Sequence, residues 1–114
     1  MSTESRYTSF ADATASDVGD GIVVRPVAGS RLMLSEVTAP AHSVGAMHTH
    51  AEEKLGVVVY GSCEFTLGGV TRQLGPGDIY QVPPGVPHGF RATEDSVLLD
   101  VFSPPRPDLL ERTT

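Results

Sequence analysis

Three of the four histidines in this chain of 114 residues fall in two short segments whose spacing suits a metal ion. The first is His48-Thr49-His50. On a strand, residues i and i+2 point to the same face, so two imidazoles placed this way can hold one ion. Alone the triplet is weak evidence, because two exposed polar residues at a strand end read the same way. The second segment is Gly77-Asp78-Ile79-Tyr80-Gln81-Val82-Pro83-Pro84-Gly85-Val86-Pro87-His88. Its glycine starts a turn, and Pro83 to Pro87 stiffens the backbone ahead of His88. A ligand on a rigid segment loses little freedom when metal binds. Together the segments predict a centre of His48, His50 and His88 for a divalent transition metal. Zn, Ni, Mn and Fe all accept imidazole ligands.

Two charged residues belong with this centre. In Leu98-Leu99-Asp100-Val101-Phe102, residues 98, 100 and 102 share one strand face and residues 99 and 101 the other. Asp100 then faces a lumen or is buried at high cost; the plain alternative is an edge-strand acid in water. Lys54 is the only lysine beside seven arginines. Its even spacing from His50 turns it to the same face on a regular strand. A nearby divalent cation and loss of water both disfavour its ammonium form. It is either a neutral base or fourth ligand, or a charged group paired with Asp100, Glu52 or Glu53; the ion pair needs no large pKa shift and is the expected outcome. A lysine simply facing solvent is the alternative. Glu52 and Glu53 supply a ligand if the strand shifts, and His42 reads as a loop histidine.

The elements that must position these groups are short. Strands are expected at Ile22–Val27, Arg31–Val37, Ala46–His50, Leu55–Tyr60, Cys63–Leu67, Val70–Leu74, Ile79–Val82, His88–Ala92 and Val97–Phe102. Gly68-Gly69 reads as a two-residue hairpin turn. Pro104, Pro105 and Pro107 forbid a further central strand, and Asp108 to Arg112 reads as a helical turn. Many short strands with glycine turns argue an all-β sandwich or barrel. Residues 1–21 are polar and aperiodic and read as an arm; residues 22–114 read as one barrel with a short tail.

Composition fits one folded domain: 39% hydrophobic and 19% charged residues, with 12 glycines and 9 prolines for turns. The net charge is -6, with no basic stripe, so a nucleic-acid partner is not expected. No apolar run is long enough to cross a membrane, and the polar N-terminus lacks the apolar stretch of a secretory signal. The lone Cys63 reads as a buried thiol, and a reducing cytoplasm is the expected compartment.

His48 to Gly61 followed by Gly77 to His88 resembles the two motifs of the cupin superfamily. The resemblance spans roughly Arg31 to Phe102. Three departures stand out: the usual opening glycine is His42, the usual Glu or Gln ligand is Lys54, and the asparagine that often closes the second motif is Ala92. The resemblance implies a conical β-barrel, the cupin double-stranded β-helix, with one lumenal metal and a homodimeric state. The ending Asp-Val-Phe-Ser-Pro-Pro-Arg is similar to small cupins of the KdgF type, which convert a cyclic 4,5-unsaturated uronate to its linear 4-deoxy-5-keto form. That similarity implies metal at His48, His50 and His88, and a substrate site shaped by Asp100, Phe102 and Arg106.

The leading expectation is a metal-dependent isomerase or lyase for a small, sugar-derived carboxylate or carbonyl compound. Asp100 moves the proton, Arg106 clamps a carboxylate, Phe102 and Tyr80 are walls, and Lys54 adds a charge or a base. Three alternatives stand beside it. One is a secondary-metabolism cupin of the polyketide-cyclase type, favoured by a larger and more apolar lumen. The others are a three-histidine iron oxygenase and a non-catalytic binding barrel.

Overall fold

Alternation of apolar and polar residues along most of the short segments leaves those strands one face to bury, and two sheets facing each other cover these faces. The computed structural model describes residues 5–111; the first four residues of the expected arm and residues 112–114 of the tail lie outside the described residues. The strands are β1 (Ser16–Asp17), β2 (Val23–Ala28), β3 (Met33–Ala39), β4 (Val44–His48), β5 (Glu53–Tyr60), β6 (Cys63–Leu67), β7 (Val70–Leu74), β8 (Ile79–Val82), β9 (His88–Ala92) and β10 (Ser96–Ser103), followed by α1 (Pro107–Glu111). One sheet runs β1-β2-β3-β10-β5-β8, the other β4-β9-β6-β7. All ladders are antiparallel.

Several boundaries differ from the sequence expectation for local reasons. The second strand starts at Met33 and not Arg31, because the Gly29 amide closes a turn on the Leu32 carbonyl. The strand expected at Ala46–His50 is Val44–His48. Its ladder with β9 ends at the pair His48–His88, and the His50 carbonyl instead accepts the Gly85 amide at 2.9 Å. His50 therefore reaches the centre from beyond the end of β4, not from the strand face that the i, i+2 spacing assumed. Within the stretch read as an arm, Ser16 and Asp17 pair with Val24 and Val23, and Phe10–Asp12 forms a short 3-10 turn. The hairpin at Gly68-Gly69 forms as expected, with both residues in the left-handed conformation that this turn type needs.

The register of the larger sheet places side chains in rows across its inner face. One row is apolar: Val24, Val37, Leu98 and Val58. The next is Ser35, Asp100, Gly56 and Tyr80. The third is Met33, Phe102, Lys54 and Val82. A polar row thus lies between two mainly apolar ones, in a core that includes Ile22, Met33, Leu98 and Phe102.

Candidate metal centre

The two histidine segments meet through the backbone before their side chains do. The Pro83–Pro87 loop is pinned to the His50 carbonyl by Gly85, and β9 sets His88 opposite His48. Ring centroids lie 4.3 Å apart for His48 and His88, 4.7 Å for His50 and His88, and 5.4 Å for His48 and His50. One nitrogen from each ring falls within 4.8 Å of the other two. These are the residues singled out by spacing, and the fold brings all three together.

The rings are also held in one tautomer. Each Nδ1 lies 2.9 Å from a backbone carbonyl: Ala46 for His48, Glu52 for His50 and Val86 for His88. A carbonyl only accepts, so each Nδ1 carries the proton and each Nε2 keeps its lone pair. The Nε2 atoms of His50 and His88 are buried without a hydrogen-bond partner among the described residues. Burial holds all three imidazoles below their ordinary pKa. For His88 it does so down to about 4, with the Lys54 cation as the next cause. Neutral rings with orphaned, convergent lone pairs are the donor set a divalent metal requires, so these residues fit the ion that the histidine pattern implies.

Lys54 does not join this cluster. It is 7% exposed, and its Nζ lies 3.7 Å from Asp100 Oδ2. The rings of Tyr80, Phe65 and Phe102 stand 5.5, 5.8 and 5.8 Å from Nζ. Burial lowers its pKa, while the Asp100 carboxylate works the other way. An aromatic cage and a carboxylate favour the ammonium form, so the ion-pair outcome is the one the geometry carries. Glu52 and Glu53 are not in the histidine cluster among the described residues; Glu52 sits 3.9 Å from His50 Nδ1.

Asp100 faces the lumen and is 5% exposed. Tyr80 donates its hydroxyl to Asp100 Oδ1 at 2.6 Å. It reaches across Gly56, where a Cβ would run into both the Tyr80 ring and the carboxylate. Tyr80 is not the cavity wall that the sequence suggests. It is not among the residues lining the histidine cavity; its ring stacks on Phe65 at 4.2 Å and stands behind Asp100 as a donor.

The cavity measures about 410 Å³ and is lined by the histidines His48 and His88, by Lys54, Asp100 and Phe102, and at one wall by Arg106. The Arg106 guanidinium lies 5.2 Å from the Phe102 ring. It also donates two hydrogen bonds to Asp108, at 3.2 and 2.6 Å. A ligand carboxylate must therefore share or displace Asp108. Asp108 was missed by sequence reasoning; its signal was an acid two residues beyond the arginine at the start of α1. Burial alone would raise its pKa, but the Arg106 hydrogen bonds outweigh that and hold it low. Phe65 was missed too, although alternation along Cys63–Leu67 put it on the buried face. The thiol of Cys63 is buried and pushed up to about 11 by burial, which makes it inert.

The pattern of the cupin domain matches residues 35–102. The chain belongs to the cupin family. This cupin is similar along most of its length to the pectin degradation protein KdgF of Dickeya dadantii (strain 3937). The two are 33% identical over 108 residues, which cover 92% of this chain and 98% of that protein. Among solved structures, an RmlC-like cupin from Shewanella frigidimarina NCIMB 400 superposes with a TM-score of 0.87 at 27% identity, covering 96% of this chain and 99% of that one. KdgF from Halomonas sp. superposes with a TM-score of 0.85 at 33% identity, covering 93% and 99%. The cupin barrel is the fold expected from the two motifs. Among the described residues, no helix is long and apolar enough to cross a membrane.

Proposed function

We propose that this cupin is a metal-dependent isomerase that opens a cyclic 4,5-unsaturated uronate to its linear 4-deoxy-5-keto form. One observation carries the reading. Three imidazole nitrogens converge within 4.8 Å of one another, and two of those histidines, His48 and His88, line one cavity with a lumenal carboxylate and an arginine. The similarity to KdgF, a pectin degradation protein, supports the substrate class.

The reaction is an isomerisation with no oxidant. Ring opening turns the hydroxyl on carbon 1 into an aldehyde and the ring oxygen into an enol; the enol becomes a ketone when carbon 4 takes a proton. A metal held by His48, His50 and His88 supplies Lewis acidity toward a ligand oxygen. Asp100, on the cavity wall and steadied by Tyr80 and Lys54, moves the proton. Arg106 receives the uronate carboxylate as a bidentate partner in place of Asp108. Phe102, between His50 and Arg106, is the wall against which the ring lies. Metal-loaded protein should convert the unsaturated uronate, seen by NMR as loss of the vinyl proton, and chelation should stop it. Absence of conversion with metal bound would end this reading.

A second reading is favoured by the row Val24, Val37 and Leu98, three apolar residues on the cavity wall. It is a secondary-metabolism cupin acting on a more apolar compound. We also propose a cytoplasmic homodimer. Its support is the outer face of the larger sheet, where Leu34, Val101 and Leu55 are exposed and adjacent in register, and the single unpaired Cys63 fits a reducing compartment. Light scattering should give twice the chain mass, and Val101→Lys should halve it; a monomeric wild type would refute the pairing.

A further inference from the structure

Ser35 sits in the middle of β3, is 0% exposed, and lines the same cavity as the histidines and Asp100. Its Oγ has no hydrogen-bond partner among the described residues. A buried hydroxyl without a partner is destabilising, and, unlike the orphaned Nε2 atoms of His50 and His88, this one has no metal to explain it. A second observation points to a ligand. The register puts Ser35 directly opposite Asp100, and both oxygens of Asp100 face other groups, Oδ1 toward Tyr80 and Oδ2 toward Lys54. Ser35 is thus the one hydroxyl of this polar row that is left open to the cavity. Val37 follows it at the next inward position of β3, paired with Val24 and Leu98, so that neighbouring row holds no polar atom of its own side chains.

We infer that Ser35 is a second anchoring point for the ligand, where its hydroxyl hydrogen-bonds a ligand hydroxyl placed beside Asp100. This rests on the uronate reading and deepens it. A hydroxylated acid can set its carboxylate at Arg106 and one of its ring hydroxyls at Ser35, whereas an apolar compound leaves Ser35 unsatisfied. Ser35 is therefore a specificity residue that selects hydroxyl-bearing acids over apolar ones of similar size. A small dicarboxylate with no hydroxyl, such as oxalate, gains nothing from it.

The test compares metal-loaded wild type with Ser35→Ala and Ser35→Cys. Three readouts are taken: steady-state kinetics on the 4,5-unsaturated uronate, oxalate binding by calorimetry, and melting temperature. Loss of one neutral hydrogen bond predicts a KM higher by roughly five- to tenfold in Ser35→Ala, with kcat changed less. Oxalate affinity should stay level, and the melting temperature should not fall, because an orphaned hydroxyl is being removed. Ser35→Cys, which keeps the shape with a weak donor, should show a raised KM as well. An unchanged KM in Ser35→Ala overturns the inference while the proposed reaction stands. Equal weakening of oxalate and uronate also overturns it, because Ser35 would then act through the shape of the whole site. If wild type binds oxalate but does not turn over the uronate, the proposed reaction fails and this inference falls with it.

Discussion

The Tyr80 hydroxyl reaches Asp100 Oδ1 at 2.6 Å by crossing the one position, Gly56, where the sheet carries no side chain. The three residues are consecutive in one cross-strand row. A carboxylate that must move a proton inside an apolar barrel needs a fixed orientation, and this row provides it with one donor from β8 and one cation from β5.

Removing that donor while keeping the ring separates orientation from packing. Tyr80→Phe retains the stack on Phe65 and deletes only the hydroxyl. Stability should fall by about 1 kcal/mol, metal content should be unchanged, and kcat should drop roughly tenfold, the effect of a misoriented acid–base group. Metal analysis beside kinetics checks this; a loss of metal in Tyr80→Phe would mean that the hydroxyl serves the histidines instead.

Lys54 places a positive charge in the lumen that also faces the histidines, since it contributes to the lowered pKa of His48, His50 and His88. Lys54→Gln removes that charge and supplies the residue usual at this cupin position. Metal affinity should tighten, on the order of tenfold for about 1.4 kcal/mol of relieved repulsion. Competition titration with a chromophoric chelator reads the change directly. Affinity equal to wild type would show that Asp100 already neutralises Lys54 as seen from the metal.

Burial keeps His88 near 4 in the folded chain against an ordinary 6.5. Between those values the unfolded chain binds a proton that the folded chain does not. The contribution of His88 to the stability of metal-free protein is therefore lost as pH drops from about 6.5 toward about 4. Denaturant melts across this range test the sign. His88→Gln should flatten the slope, and a stability that rises on acidification would contradict the neutral, buried state of the ring.

Much of the centre was legible in the chain because ligand spacing and rigid turns are local. The proline-stiffened approach to His88 and the i, i+2 pair each announce themselves within a dozen residues. Even so, His50 arrives by a different route than strand parity implied, since its carbonyl leaves the ladder for Gly85. The usual motif glycine makes sense in the same way: His42 stands there with φ at 71°, the left-handed region that glycine enters freely. What local pattern could not reveal were relations set by cross-strand register. Ser35 and Phe65 drew no reading from local pattern, because only the fold makes one border a cavity and the other stack on Tyr80. Tyr80 looked like a wall because its partner, Asp100, lies twenty residues away and on a strand that is not its neighbour. Asp108 escaped notice because acids at helix starts are common, and only its bidentate contact with Arg106 gives it a role.

The central claim is that Asp100 acts on a uronate held at the three-histidine metal centre. The most direct measurement is the rate of 4,5-unsaturated uronate linearisation by wild type and Asp100→Asn, each loaded with the same metal and with its metal content determined. The account predicts full metal occupancy in both proteins and a rate lower in Asp100→Asn by on the order of 100-fold or more. Equal rates, or no linearisation by fully loaded wild type, would contradict it.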